Sequence, residues 1–236
     1  MDVYFRIPHN DKDQAKAIGA RWSMKYDLWY APDGRADIEA RLAERWPKTT
    51  PLLPIDTFPG EDRAFGEAPK LAVDMIPATC WFTNVRSSIS QDDWRRIALG
   101  VKQRAFRHCE LCRGQADKKQ AIYLEPHERF DYVEGVQVLK RLVCVCTRCH
   151  NAIHFGRAQA TGKYEEARAH LARVNGWDPS TTERHIRTAF TLWATRSRQE
   201  WSLDLSILEA TGVEIQLPSP TQRLIEGVDL SALLRP

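Results

Sequence analysis

The sequence predicts an α+β fold, with a small N-terminal α+β unit, a proline-rich linker and a larger second domain. Residues 1–47 alternate short strand patterns with helix patterns. Residues 48–77 are rich in proline, which lacks a backbone donor and is disfavoured inside helices and sheets. Residues 78–217 hold longer helix patterns around an apolar strand pattern, and residues 218–236 are expected to form a loosely docked tail.

Two strands and two helices are predicted in the N-terminal unit. Val3–Pro8 alternates as a short strand does, and Asp11–Ile18 has the pattern of a helix that Gly19 can end. Leu28–Ala31 fits a second strand. Ile38–Trp46 fits an amphipathic helix, with its apolar residues on one face.

The second domain begins with a helix predicted at Gln91–Arg107. Its apolar residues recur on one face, and its arginines and lysine are expected to face largely outward. The remaining predicted strands are Ala121–Leu124, Trp201–Leu208 and Val136–Val145, of which the last fits either one apolar strand or a short helix and a strand. The remaining predicted helices are Cys149–Phe155, Tyr164–Val174 and Ser180–Arg198.

The charge balance limits the class of protein. Charged residues make up 28% of the 236 residues and the formal net charge is only +3, so the chain is not a polycation that coats nucleic acid by charge alone. The sequence shows neither a secretory signal pattern nor an apolar run long enough to cross a bilayer. We therefore expect a cytoplasmic protein without membrane contact, whose cysteines stay reduced.

Two Cys-x-x-Cys pairs indicate a zinc site. Structural zinc takes four thiolate or imidazole ligands in a tetrahedron, and each pair offers two thiolates from one turn. The alternative, ordinary buried thiols, is weak because two such pairs occur in one domain. Cys80 and Cys144 are interpreted as core residues. The four predicted ligands are Cys109, Cys112, Cys146 and Cys149.

Three histidines form a second candidate group. His150 and His154 lie four residues apart, on one face of the helix predicted at Cys149–Phe155, where both imidazoles can reach one metal ion. His127 lies between the two cysteine pairs, in the segment Leu-Glu-Pro-His-Glu-Arg-Phe-Asp. Three carboxylates are close to it in the sequence: Glu125, Glu128 and Asp131.

The segment Cys109–His154 resembles the zinc-braced HNH, or ββα-metal, endonucleases. That family has a Cys-x-x-Cys pair, a histidine on the following strand, and Cys-x-x-Cys-His opening a helix. The resemblance implies a structural Zn²⁺ on the cysteines, His127 as general base, and a catalytic Mg²⁺ or Mn²⁺ on His150 and His154. It also implies a nucleic-acid substrate, with DNA expected. The cations of the preceding helix would hold its backbone: Arg95, Arg96, Lys102 and Arg104.

Two positions depart from the HNH pattern. Pro126 stands where many members carry an acidic metal ligand, and no asparagine lies between His127 and His150 to orient the base. Two functions therefore stay open: a metal-dependent endonuclease or nickase, and a catalytically inactive zinc module that binds nucleic acid or a protein partner. A third possibility is a phage or plasmid interaction protein whose proline-rich arm or tail makes the contact.

The histidines also have alternative interpretations. His127 can be a structural or surface residue on a degenerate scaffold. His150 or His154 can replace a cysteine in the zinc cage.

The N-terminal unit resembles a small domain of unknown function that recurs beside primase and other DNA-processing modules of mobile elements. The resemblance covers residues 3 to about 33, through Lys-Asp-Gln-Ala-Lys-Ala-Ile-Gly-Ala-Arg-Trp and Leu-Trp-Tyr-Ala-Pro. Its cations and aromatic residues can form a face for single-stranded nucleic acid. The alternative, favoured for the two tryptophans, is that they form the core. These residues are Lys12, Lys16, Arg21, Trp22, Trp29 and Tyr30.

Overall fold

The computed structural model describes residues 1–26, 28–51, 58–81 and 83–217. Within these ranges the chain forms two β-sheets and eight α-helices, so the predicted α+β fold class is confirmed. The predicted tail, 218–236, and residues 52–57 of the predicted linker lie outside the described residues. No α-helix in the described ranges combines the length and apolar character that spanning a bilayer requires.

The N-terminal unit is an antiparallel four-stranded sheet in the order β2-β3-β1-β4. Two helices pack on one face and enclose a core that includes Phe5, Ala15, Trp29 and Leu42. The elements are β1 (Val3–Phe5), α1 (Lys12–Ile18), β2 (Arg21–Ser23), β3 (Leu28–Ala31), α2 (Ala36–Ala43) and β4 (Lys48–Thr49).

Gly19 ends α1, as the sequence predicts. Its φ of 110° is left-handed, a conformation that glycine adopts without steric cost. An added Cβ would also lie 2.6 Å from Cδ1 of Ile38. This residue therefore lets α1 and α2 approach closely.

Several N-terminal boundaries differ from the prediction. Strands β2 and β4 were not predicted because they are three and two residues long and show no clear alternation. Helix α2 ends at Ala43, so Trp46 lies beyond it. The indole is still buried in the core, and its Nε1 donates a hydrogen bond to Asp11 Oδ2 at 3.0 Å.

The second unit is built on a long antiparallel hairpin of β5 (Leu124–Val133) and β6 (Val136–Cys146). The short strand β7 (Ser202–Asp204) adds to β6 in parallel. The helices are α3 (Val85–Ser88), α4 (Gln91–Arg104), α5 (Thr147–Ile153), α6 (Phe155–Ala160), α7 (Tyr164–Asn175) and α8 (Pro179–Arg196).

Three elements of the second unit depart from the sequence pattern. Helix α4 ends at Arg104 because Phe106 and Arg107 adopt positive φ angles of 51° and 55°. The strand predicted to end at Leu124 instead begins there. The strand predicted at Trp201–Leu208 has only three paired residues, and Ser206–Thr211 forms a 3₁₀ helix.

Residues 58–77 run along the second unit. Leu71, Val73 and Met75 are buried in the same apolar cluster as Phe155. The backbone is tied down as well: Asp74 N donates to Ile153 O at 3.0 Å, and Val73 N donates to His185 Nε2 at 3.0 Å. This part of the proline-rich segment therefore contributes to the core, while the domain boundary at residue 78 stays a prediction.

Truncating Leu71 tests that contribution. Leu71 is fully buried, so Leu71→Ala is expected to lower the free energy of unfolding by about 2–5 kcal/mol, the usual cost of a Leu-sized cavity. Urea denaturation followed by tryptophan fluorescence measures the change. The exposed neighbour provides the control, because Lys70→Ala removes no buried group. Equal midpoints for the two variants would show that residues 58–77 are only loosely docked.

Candidate metal centres

The four predicted cysteines converge at one point. Cys109 and Cys112 follow α4, Cys146 ends β6, and Cys149 lies in the first turn of α5. The four sulfur atoms all lie within 4.8 Å of one another. The Sγ atoms of Cys109 and Cys149 are 3.6 Å apart, as are those of Cys112 and Cys146.

These distances suit a tetrahedral metal ion. A zinc ion with Zn–S bonds of about 2.3 Å has its sulfurs about 3.8 Å apart, whereas a disulfide would bring two sulfurs to about 2.05 Å. The four-sulfur group can therefore hold one metal ion. Three of the four cysteines are buried and Cys112 is half-buried, as expected for a closed structural site.

The ionisation of the sulfurs also favours a cation. Hydrogen bonds to neighbouring sulfurs, Cys112 for Cys109 and Cys109 for Cys149, raise the pKa values of Cys109 and Cys149 well above that of an ordinary thiol. The bond to Cys109 lowers the pKa of Cys112 to about 5 and also lowers that of Cys146. The four sulfurs thus share protons with one another, and a divalent ion would stabilise all four as thiolates.

The first cysteine pair sits in a tight turn. Arg113 N donates to Cys109 O at 2.9 Å, and Cys109 N donates to Gly114 O at 2.8 Å. Glu110 joins this turn to β6, because its Oε2 accepts a hydrogen bond from Cys144 N at 2.6 Å. These bonds hold Cys109 and Cys112 against the strand that delivers Cys146.

Sequence reasoning missed His170 on α7. Its Nε2 lies 3.1 Å from Cys149 Sγ, and its Nδ1 lies 2.8 Å from Arg173 Nη2. Burial alone would lower the pKa of His170, but hydrogen bonds to Cys112 and Cys146 outweigh it, so the pKa is raised. A ring donating from Nε2 would stabilise a thiolate, a common role of groups just outside a metal's ligands. The sequence feature that could have identified His170 is its position between two apolar residues, Ala167 and Leu171, which are buried in α7.

The three predicted histidines form a separate cluster. His127 lies on β5, His150 lies in α5, and His154 lies at the junction of α5 and α6. One ring nitrogen from each lies within 4.8 Å of the other two. The ring centroids are 4.6 Å apart for His150 and His154, 5.1 Å for His127 and His154, and 5.6 Å for His127 and His150. They group with one another, whereas the zinc-cage alternative would have placed His150 or His154 with the cysteines.

The ββα arrangement explains this convergence. His127 pairs with Val143 across the hairpin, and β6 leads directly into α5 through Cys146. The helix therefore returns along the strand pair. His154 directly follows the last residue of α5, and its N donates a hydrogen bond to His150 O at 3.0 Å, so both side chains lie at the end of this helix and meet His127.

Burial keeps two of the three rings neutral. His127 is 4% exposed, and desolvation, with a smaller effect from His154, holds its pKa well below the usual 6.5. Burial, reinforced by His150, lowers the pKa of His154 to about 3. Both rings therefore keep a nitrogen lone pair at pH 7, which a metal ion or a proton can use.

Glu125 orients the third ring. Nδ1 of His150 lies 2.9 Å from Glu125 Oε1, and this bond lowers the pKa of the Glu125 carboxyl. A His150 ring held through Nδ1 in this way presents its other nitrogen, Nε2, as the atom that could bind a metal ion. Pro126 occupies the position before His127, where many HNH members carry an acidic residue. In this chain the carboxylate that contacts the cluster is Glu125, one position earlier.

Gln137 does not substitute for the missing asparagine. Its side chain is fully buried, and Nε2 donates to Thr83 O at 3.4 Å. Gln137 pairs with Tyr132, whereas His127 pairs with Val143, so the two lie towards opposite ends of the hairpin. The arrangement of His127 therefore rests on burial and on the other two histidines.

The prediction that the cations of α4 face largely outward is wrong for Arg96 and Arg104. The Arg96 side chain is buried and pairs with Asp93 one turn earlier. The Arg104 side chain is 3% exposed, and its two Nη atoms lie 2.8 Å from the two carboxylate oxygens of Glu61. These buried carboxylates hold the guanidinium groups inside.

The other two α4 cations have different surroundings. Arg95 is exposed and pairs with Asp92 at 2.8 Å. Lys102 is half-buried and forms no ion pair within the described residues. Of the four, these two remain available to contact a ligand at the surface.

Residues 3–48 match the model of a domain of unknown function, DUF5710. A stretch of 72 residues is 35% identical to DNA primase TraC of Escherichia coli. That alignment covers 29% of this chain and only 5% of the primase. No solved structure gives a significant match. The predicted resemblance of the N-terminal unit is thus confirmed, whereas the HNH resemblance of the second unit stays a prediction.

Proposed function

We propose that this protein is a metal-dependent nucleic-acid endonuclease or nickase of the HNH type, acting on DNA. One observation carries the proposal: a strand histidine and two helix histidines meet at a ββα hairpin–helix junction, beside a four-cysteine brace. A phosphodiester needs an activated water on one side and charge neutralisation on the other. The three imidazoles supply groups for both.

The four cysteines have a structural role in this proposal. A zinc ion with four thiolates has no open position for water or phosphate, so Cys109, Cys112, Cys146 and Cys149 hold the fold rather than the substrate. They fix the start of α5 against β6, and α5 carries His150. The brace therefore sets the geometry of the histidine cluster.

The three histidines have different roles in this proposal. The neutral ring of His127 accepts the proton of the attacking water. His150, oriented by Glu125, and His154 hold a divalent ion through ring nitrogens. When bound, that ion supplies a Lewis acid that polarises the phosphate and stabilises the departing oxygen. Of the two ions that the HNH resemblance implies, Mn²⁺ accepts imidazole ligands more readily than Mg²⁺, and later first-row ions such as Zn²⁺ bind imidazole more tightly still.

Two lines support DNA as the substrate. The similarity to a protein named DNA primase TraC supports a DNA-related role, although it spans a small part of that protein. Arg95 and Lys102 remain at the surface of the helix that leads into the first cysteine pair. They are positioned to contact a phosphate backbone.

Cleavage assays test the proposal. Purified full-length protein is incubated with single-stranded, double-stranded and supercoiled DNA, each with Mg²⁺, Mn²⁺ or Zn²⁺. The expected result is divalent-dependent cleavage of at least one substrate, with Mn²⁺ more effective than Mg²⁺. Absence of cleavage under every condition, while zinc is bound and the protein is folded, would overturn the enzyme proposal.

A catalytically inactive binding module is the second candidate. It is favoured by Pro126, by the absence of an asparagine between His127 and His150, and by the distance of Gln137 from the cluster. This module would bind nucleic acid or a protein partner through the same scaffold. DNA binding without cleavage would identify it.

A further inference from the structure

One face of the N-terminal sheet carries no helix. Helices α1 and α2 cover the face that contains Phe5 and Trp29. Side chains alternate along a strand, so Tyr4 and Tyr30 point to the other face. No buried apolar cluster in the described part of the chain includes either tyrosine.

The tyrosines of this face form a continuous aromatic surface. Tyr4 pairs with Tyr30 across β1 and β3, and their ring centroids are 5.5 Å apart. Tyr26, from the turn between β2 and β3, packs edge-on against Tyr4 at 5.2 Å. All three are half-buried, so part of each ring stays accessible.

Cations flank the three rings. Arg21 pairs with Tyr30 across β2 and β3, so it continues the row on the same face. Lys25 lies with its Nζ 4.9 Å from the Tyr26 ring centroid. Both cations are exposed, and neither forms an ion pair within the described residues. A carboxylate lies beside the rings as well: burial and the charge of Asp2 raise the pKa of Tyr4, and Asp2 accepts a hydrogen bond from Asp33 N.

This face is only partly covered within the described residues: Leu28, two residues before Tyr30 on β3, is 4% exposed, whereas the three tyrosines are half-buried. Contacts between the two units run through the β4 side of the sheet. Arg6 pairs with Asp93 at 3.5 Å, and Arg96 donates to Thr50 O at 2.8 Å. Arg6 lies two residues after Tyr4 and so on the same face, which the second unit therefore meets at its β4 end.

We propose that this face, defined by Tyr4, Tyr26, Tyr30, Arg21 and Lys25, binds single-stranded nucleic acid. Accessible aromatic rings on a sheet stack on unpaired bases, and neighbouring cations contact the phosphates. The bases of a duplex are stacked on each other, so the face selects single strands. This function lies in the other unit from the histidine cluster and requires no metal.

The face differs from the one that the sequence indicates. Trp29 is buried on the helix side, whereas Trp22 packs edge-on against it at 5.2 Å and is 43% exposed, so the core interpretation is confirmed for Trp29 and wrong for Trp22. Lys16 also lies on that side, with Nζ 5.8 Å from the Trp29 ring centroid. Of the aromatic residues predicted from the sequence, Tyr30 alone belongs to the proposed face, where Tyr4 and Tyr26 join it.

Binding of a fluorescent oligothymidine of about ten nucleotides to full-length protein tests the proposal. Fluorescence anisotropy without added divalent ion keeps cleavage out of the measurement. Tyr30→Leu is expected to weaken binding roughly tenfold, whereas Tyr30→Phe retains the ring and should bind as the wild type does. Trp22→Leu, on the opposite face, is the matched control and should leave affinity unchanged. Thermal melting verifies that the variants are folded.

Three further arms identify the ligand. An RNA strand of equivalent sequence separates DNA preference from general single-strand binding, and either result supports the face. The wild type should bind a duplex more weakly than oligothymidine. It should bind an abasic strand with the same low affinity that Tyr30→Leu has for oligothymidine. Arg21→Ala should reduce the slope of log affinity against log salt by roughly one.

Equal affinity of wild type and Tyr30→Leu for oligothymidine would overturn this inference, as would stronger binding to duplex. The two proposals can fail independently, and the cleavage and binding assays distinguish these failures. Loss of cleavage with intact Tyr30-dependent binding contradicts only the nuclease. Tyr30-independent binding with intact cleavage contradicts only the stacking face.

Discussion

Replacing Cys109 by serine is expected to abolish zinc binding and to unfold the second unit. Cys109 is fully buried and supplies one of the four sulfurs that lie within 4.8 Å of one another. Structural zinc contributes about 10–16 kcal/mol of binding free energy in small zinc domains. That is as large as the whole stability of a typical domain, about 5–15 kcal/mol.

Metal analysis and circular dichroism measure this effect. Wild type should contain one zinc per chain, and Cys109→Ser should lose both the metal and the cooperative thermal transition of the second unit. Cys80→Ala is the matched control, because Cys80 is also fully buried but lies outside the four-sulfur group. It should keep the metal and destabilise only modestly. Wild type without zinc, or Cys109→Ser with unchanged melting, would refute the site.

His127→Ala is expected to preserve the fold and nucleic-acid binding while lowering cleavage by roughly 10²-fold or more, the usual scale for loss of a general base. The strand pair and the cysteine brace do not depend on its ring. His150→Ala and His154→Ala should instead raise the concentration of Mn²⁺ needed for half-maximal cleavage, because each removes a metal ligand. The cleavage rate as a function of metal concentration separates the two roles.

His9→Ala is the control for these variants, because His9 is exposed and lies in the N-terminal unit. It should cleave as the wild type does. If wild type and His127→Ala are equally inert while DNA binding persists, the second unit is a binding module. If His127→Ala instead changes the metal requirement and not the rate at saturating metal, His127 is a ligand and not the base.

Local patterns predicted much of this protein. Leu28–Ala31 forms the predicted strand, and Gly19 ends α1 because glycine tolerates the left-handed conformation. The two Cys-x-x-Cys pairs identified the four-sulfur group, because each pair carries its geometry within a single turn. The spacing of His150 and His154 likewise indicated that their rings group, although the predicted helix is interrupted at His154, between α5 and α6. Each of these features depends on residues that are close in sequence.

Only the tertiary structure decided which distant residues meet. Arg104 is buried because Glu61 reaches it from a segment 43 positions earlier, and no pattern within α4 records that partner. His170 joins the cysteine group from α7, 21 positions after Cys149. Tyr4 and Tyr30 share a face because β1 pairs with β3. The free energies of burial and of strand pairing at these positions depend on contacts between residues that are distant in sequence. Local periodicity therefore does not predict them.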